Sequence, residues 1–455
     1  MRANKMNWGL GKRLGRIESF RICGGFPFWN GEDMMLSRRN LIQNAALIAG
    51  SLAAMEVPDA LAAPDGQGEN PAAIASGYVD VSKLGAIGNG VHDDTDAFEK
   101  AIRESARTNQ PVYVPRATYR ITRPLSIANQ LLMGQFAGGW PADTMPMPTL
   151  KIDHLTDPGI EMGPGASIHG IAIEYDINAK FPSENAPPAI SLSGNGPSIS
   201  SVRIQYPYDG IMTSPGGTPG RSRFSDIFIV SPKHSGLYLT KCYDVSQLRN
   251  IEVWCNIGFS TGPGFQFGRN DDCALTDLFA FQCQIAYLFE TDTDKGGGRF
   301  YGSLSNCSSD ACSQGYVIHG DHQLNIAASD LVDHFTSMEI DGENASVRIG
   351  DSVLQTNGAA TVHLVNCANF SVSNCRFLRA FQAPAHHFIH AEKCGSLTVN
   401  GCQFPSDSPG IQLDAGVQRA VITNNIFEAT FPHLSDNTTP MSKKVIAQNV
   451  TEDGK

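Results

Sequence analysis

Leu84-Gly-Ala-Ile-Gly-Asn-Gly-Val-His-Asp-Asp-Thr-Asp-Ala97 is followed by Pro111-Val-Tyr-Val-Pro115 and Tyr119-Arg-Ile-Thr122, a succession of turn, helix and strand signals. Gly85, Gly88 and Gly90 supply a turn with freely chosen φ. Asp94 or Thr95 is then placed to cap a helix over 94–108, whose Ala97, Phe98, Ala101 and Ile102 share one face. The two runs that follow are short, β-branched or aromatic, and punctuated by Pro111 and Pro115, which is strand chemistry. An amphipathic helix thus leads into a stack of short strands that it can cover.

These residues resemble the opening segment of the pectate-lyase and rhamnogalacturonase-like superfamily, whose first coil reads F-G-A-x-G-D-G-x-x-D-D-T-x-A. Leu84 stands for the Phe, Asn89 for the Asp of G-D-G, and Arg116-Ala-Thr-Tyr119 for P-x-G-x-Y. The resemblance covers 79–134, about one eighth of the 455 residues. It implies an all-β fold, a single-stranded right-handed parallel β-helix (solenoid) with an N-terminal capping helix. No catalytic residue lies in the motif, because in the family this segment builds the cap.

Composition agrees with many short strands and turns, since charged residues are only 17% and the chain holds 45 Gly and 26 Pro. The formal charge of −11 argues against a nucleic-acid partner, whose phosphates demand a basic face. Ser37-Arg-Arg-Asn-Leu-Ile42, an apolar run over 45–54 and Ala60-Leu-Ala62 read as a twin-arginine signal peptide with its cleavage site. The residues upstream of Met34 and Met35 precede that signal oddly and suggest a misassigned start. The apolar run is short of the roughly 20 residues of a membrane span, so a periplasmic or extracellular protein is expected. The expected organisation is 1–62 extension and signal, 63–78 linker, 79–429 solenoid, and 430–455 an irregular tail.

From Ile168 onward the sequence repeats a two-stroke unit, an alternating strand, a turn, then a short second stroke. The second strokes begin at Gly210, Gly236, Gly264, Ala286, Gly315, Ser337, Thr361, Phe388 and Gly410, spaced by 22 to 29 residues. Long amphipathic helices between strands are missing there, which excludes a doubly wound sheet. Cys367 and Cys394, like Cys375 and Cys402, are 27 residues apart and so occupy equivalent places in neighbouring coils. Stacked buried thiols are preferred over disulfides there, because twin-arginine export carries chains folded in a reducing compartment. Cys307 and Cys312 are the better disulfide candidate.

Alternation sorts the second strokes into outward columns. One reads Met212, Tyr238, Gln266, Leu288, Val317, Glu339, His363, His390, Gln412; the other reads Ser214, Thr240, Gly268, Glu290, His319, Asp341, Val365, Glu392, Asp414. Two carboxylates at rung or strand spacing do acid and base work on a glycosidic bond. Glu339, Asp341 and Glu290 are therefore the catalytic candidates. His319, His363, His390, Glu392, Arg269, Asp271, Asp272 and Tyr238 are the candidates for binding a polysaccharide or oligosaccharide. An outward strand face is also polar for no reason but solvation, and Asp271-Asp272 is also ordinary turn chemistry. No cofactor is expected. Asp292 and Asp294 before Gly296 hint only weakly at calcium, and His386, His387 and His390 make no zinc site, since His387 alternates to the other side.

The resemblance implies a carbohydrate-active protein. Of the hydrolase motifs N-T-D, D-D, G-H-G and R-I-K, only Asp271-Asp272 is echoed. Lyases acting on uronates place Lys or Arg at the site, whereas the columns here are acidic. A glycoside hydrolase is the first reading, a polysaccharide lyase of the same fold the second. A non-catalytic binding or structural β-helix is the rival from another class, and stacked exposed aromatics would favour it.

Overall fold

A computed structural model of the chain describes residues 77–135, 147–182, 185–255, 260–291, 298–332, 335–356, 358, 360–379, 386–405, 408–428, 433–439 and 442–451. The signal read over 1–62 and the Asp292–Asp294 loop lie outside them. The described strands pair in parallel, each with its counterpart in the coil before and the coil after, to make a β-solenoid of about 13 turns.

From Leu125 onward each turn lays down three strands on three faces. Face A runs through Leu125–Ile127, Ile160–Met162, Ile190–Leu192, Ile211–Thr213, Leu237–Leu239, Pro263–Phe267, Ile285–Glu290 and Gln314–His319. It continues in the first halves of Thr336–Gly350, Ala360–Ser373 and His387–Asn400, then in Ile411–Val417 and Leu434–Asp436. Faces B and C follow face A in chain order. One strand often supplies both, as Arg223–Val230 does. This is the alternating stroke of the sequence reading, and it is bent in the middle. Asp226, Asn250, Asp277, Asn306, Asp351, Asn374 and Asn424 take φ between 52° and 60° at seven of the bends. Asn and Asp tolerate that left-handed conformation better than other side-chain-bearing residues. The bend resets the alternation, so Phe224, Ile227 and Ile229 all point inward. Side chains tie one bend to the next, Asn250 Nδ2 donating to Asp226 Oδ1 at 2.8 Å and Asn306 Nδ2 to Asp277 Oδ1 at 2.7 Å.

The core is a continuous column inside the three faces. On face A, Phe265, Tyr287 and Tyr316 stack at 5.2 and 4.7 Å, and the Tyr287 hydroxyl lies within hydrogen-bond distance of both Leu278 O and Ser308 O, to one of which it donates. Phe377, Phe404 and Phe427 stack likewise on face C at 4.6 and 4.7 Å. Each such fully buried ring contributes about 1.5–3 kcal/mol relative to exposure. Gly210 and Gly236 open their face A strokes because a Cβ there would meet the backbone oxygen of the next coil, Gly236 O and Gly264 O, at 2.3 and 2.5 Å.

The helix Thr95–Thr108 buries Phe98 and Ala101 completely and sets Phe98 edge-on to Tyr119 at 5.2 Å. Neither Asp94 nor Thr95 caps it with a side chain in the way expected. Asp93 accepts from Thr95 N, while the buried Asp94 carboxylate accepts from Ile87 N and Gly88 N and so holds the glycine turn. At the other end the irregular tail is corrected. Leu434–Asp436, Lys443–Ala447 and Val450–Thr451 extend faces A, B and C by one more turn. No rung stacks on this one among the described residues, and Lys443–Ala447 is exposed throughout.

Every cysteine among the described residues is a buried free thiol. Cys367 and Cys394 are rung partners with sulfurs 3.3 Å apart, as stacked thiols require. The Cys307-to-Cys312 disulfide is not formed, because the extended strand Ser308–Asp310 separates the two residues. Their thiols donate instead to Leu275 O and Ala280 O.

Candidate functional site

The first outward column of face A has the register read from the sequence, with Met212, Tyr238, Gln266, Leu288, Val317, Glu339, His363, His390 and Gln412 as successive rung partners. It is not uniformly solvated. Leu288 and Val317 are only 8% and 2% exposed, so the accessible polar stretch begins at Glu339. In the second column Glu290, His319 and Asp341 are consecutive rung partners. The column then departs from strict alternation. Opposite Asp341 stands Asn366, not Val365, because Val365 is an extra residue at a β-bulge. A second irregularity follows Ala391, where the neighbouring strand has one extra residue around Asp414.

Hydrogen bonds knit the two columns together. His319 Nε2 lies 3.4 Å from Glu339 Oε1. That contact raises the imidazole above its ordinary pKa against an opposing effect of burial, and holds the Glu339 carboxyl below the usual glutamate value. Gln266 Nε2 donates to Glu290 Oε2 at 3.1 Å, and the Asp341 side chain is exposed. Beneath them His322 is fully buried. Its Nδ1 accepts from Phe300 N and its Nε2 donates to His319 O, which anchors the backbone that carries His319. Burial pushes the His322 pKa down to about 4, so it stays neutral. Nothing in the sequence pattern singled out His322.

Further along, His363 Nε2 lies 2.8 Å from Glu392 Oε1, and His390 Nε2 lies 2.9 Å from Asp414 Oδ2. Gln412 Nε2 donates to Asp414 Oδ1 at 2.9 Å. The two imidazoles stack at 5.2 Å with 15° between planes. Although burial opposes it, donation from Gln412 and His390 keeps the Asp414 carboxyl below its ordinary pKa. His386 is buried against Thr361 Oγ1, apart from this cluster. Around the corner into face B, Glu343, Asn344, Asn366, Asn369, Lys393 and Arg419 line a shallow cavity of about 320 Å³.

Four of the binding candidates are not brought to this place. Tyr238 is four rungs before Glu339, roughly 19 Å away along the stack. Arg269 and Asp271 pair with each other at 3.5 Å at a corner three coils before Glu339, and the guanidinium covers the Tyr243 ring at 4.6 Å. Asp272 takes φ 55° beside them, at a β-bulge in the strand Asn270–Phe281. Half-buried aromatics do stack outward, but on face C, where Trp254 lies 5.9 Å from Phe228 and 4.9 Å from Phe281.

Residues 78–141 match the family model described as Rhamnogalacturonase A/epimerase, pectate lyase-like, in agreement with the resemblance read from the opening motif. No curated protein matches the chain. Among solved structures, the N-terminal fragment of bacteriophage phi29 gene product 12 is similar with a TM-score of 0.57 and 13% identity, over 81% of this chain and 72% of that one. The A-module of a mannuronan C-5 epimerase from Azotobacter vinelandii has a TM-score of 0.49 and 12% identity, over 82% and 99%. The catalytic unit of a GH87 alpha-1,3-glucanase from Streptomyces thermodiastaticus has a TM-score of 0.44 and 16% identity, over 83% and 69%. At such identities the likeness concerns the fold alone. No described helix is long and apolar enough to cross a membrane.

Proposed function

We propose that this protein is an exported carbohydrate-active enzyme that hydrolyses glycosidic bonds of a polysaccharide laid along face A of a right-handed solenoid. One observation carries the reading. Register puts Glu290, His319 and Asp341 on consecutive rungs, with Glu339 on the same outward face and in contact with His319. The Cα atoms of Glu339 and Asp341 are one strand step apart, about 6.8 Å, and those of Glu290 and Asp341 two rungs apart, about 9.6 Å, from which the side chains reach toward one another. Paired carboxyls roughly 5–9.5 Å apart suffice for glycoside hydrolysis, the shorter separations with retention and the longer with inversion. Glu339, kept ionised by His319, serves as base or nucleophile, and Asp341 or Glu290 protonates the leaving oxygen. A neutral polysaccharide suits the acidic face and the charge of −11 better than a polyuronate. The match of 78–141 to the family model described as Rhamnogalacturonase A/epimerase, pectate lyase-like, supports a carbohydrate substrate. Export by the twin-arginine route and the helix Thr95–Thr108 as an N-terminal cap belong to this proposal.

The test is to incubate the purified protein with neutral and acidic polysaccharides and follow both reducing ends and unsaturated uronate absorbance. Reducing ends without unsaturated product are expected. Unsaturated product would establish the lyase reading instead. Retention without cleavage would establish a binding module, for which the aromatic stack of Phe228, Trp254 and Phe281 offers a surface. If cleavage survives Glu339→Gln, Asp341→Asn and Glu290→Gln made singly, the site lies elsewhere, with Asp271 and Asp272 next to be tried.

A further inference from the structure

We propose that His363, His390 and Glu392 form a binding site for a divalent transition-metal ion of the zinc type. One ligand atom from each of the three side chains lies within 4.8 Å of the others. His363 and His390 are direct rung partners on neighbouring strands, which is why their rings stack in parallel at 5.2 Å. Glu392 stands two residues after His390 on the same strand, and its carboxylate already reaches His363 Nε2 at 2.8 Å. Zinc bonds of roughly 2.0–2.1 Å in tetrahedral geometry set ligand atoms about 3.3 Å apart, so this edge needs to open by only about half an ångström.

The surroundings are those of a metal site. Asp414 holds His390 Nε2 at 2.9 Å, and Gln412 holds Asp414 in turn. A carboxylate that accepts one ring N–H fixes the tautomer and leaves the other nitrogen basic. The side chains of His363 and His390 are 27% and 25% exposed, so an ion enters from solvent and keeps open positions for water. Two imidazoles select a borderline metal over calcium or magnesium, which prefer oxygen ligands alone. The outward column makes His363 and His390 neighbours although they are 27 residues apart in sequence, but the reach of Glu392 to His363 belongs to the folded stack.

Metal-free full-length protein titrated with zinc chloride in a calorimeter tests the proposal. One zinc per chain is expected, with no calcium binding of comparable strength. Cobalt(II) in place of zinc should give ligand-field absorption bands that report nitrogen ligation. Asp414→Asn should weaken zinc binding about 10- to 100-fold, and His363→Ala and His390→Ala at least as much. Circular dichroism establishes that each variant is folded, and Glu290→Gln should bind zinc like the parent. Zinc binding that survives both histidine variants, a folded parent that binds no zinc, or calcium bound as tightly as zinc overturns the proposal. None of these readouts involves cleavage, so the metal site and the hydrolase reading stand or fall separately.

Discussion

Face A before Gly268 and face A after Ile285 are built alike on the inside and differently on the outside. Leu237, Leu239, Phe265 and Phe267 point inward in the early coils as Met338, Ile340, Val362 and Leu364 do in the late ones, all of them fully buried. Outward, the early coils carry Met212, Tyr238 and Gln266, whereas the late coils carry Glu339, His363, His390 and their acidic partners. Rung geometry is the same along the stack, so the scaffold does not choose where chemistry goes. The outward side chains choose it, and two bulges near Asp341 and Glu392 adjust their aim.

That contrast breaks most visibly in activity. Glu339→Gln should lower kcat/KM by roughly 10²- to 10⁴-fold, while Met212→Ala in the early column leaves it within about twofold of the parent, a flat ratio for a position that supplies no proton transfer. Initial-rate assays on the cleaved polysaccharide decide it, and equal losses from both would erase the distinction between the regions. Inside, the contrast should vanish. Leu237→Ala and Ile340→Ala should each lose about 2–5 kcal/mol in urea unfolding, because each leaves a cavity in the same column.

A smaller effect separates the regions by pH. His319 is raised above its ordinary 6.5, so its bond to Glu339 contributes fully below that value and is lost as pH rises through the folded pKa. Glu339 is lowered below 4.5, so its contribution holds above that value and is lost as pH falls through the folded pKa. The pair is therefore intact across the window between. Proton NMR of the imidazole should titrate above 6.5 in the parent and move down in Glu339→Gln; an unchanged midpoint would deny the contact. Smallest of all is the corner between faces B and C, where Ala328 holds φ 52°. Ala328→Gly should gain about 1 kcal/mol in thermal or urea unfolding, because alanine in the left-handed region is strained by roughly 1–2 kcal/mol. No gain would mean that the corner is relaxed by its neighbours.

Stroke positions from Gly210 to Gly410 and the whole first outward column were legible before any coordinates, since alternation along a strand and a fixed coil length are properties of the linear pattern. The second column failed at Val365, where a single inserted residue leaves no trace in composition. Tyr238, Arg269 and Asp271 are sugar-binding candidates of the early coils, and because a solenoid converts each coil of separation into about 4.8 Å, three or four coils set them roughly 14–19 Å from Glu339 along the stack. Asp226, Asn250 and Asn306 carry no mark in the linear pattern, and only their φ values reveal them as the bends that split one stroke into two faces.

Parallel coils, an apolar inward stripe and an acidic, histidine-bearing outward stripe follow from the order of residues, because the period of two and the coil repeat leave a strand few ways to bury its apolar side. Partnership does not follow from order. That His319 meets Glu339, that His363 reaches Glu392 while His390 reaches Asp414, and that His322 pins the strand from beneath are decided where coils of unequal length come into register. A hydrogen bond needs heavy atoms within about 3 Å, finer than the 4.8 Å rung that the pattern can resolve, so only the folded stack selects which neighbours meet.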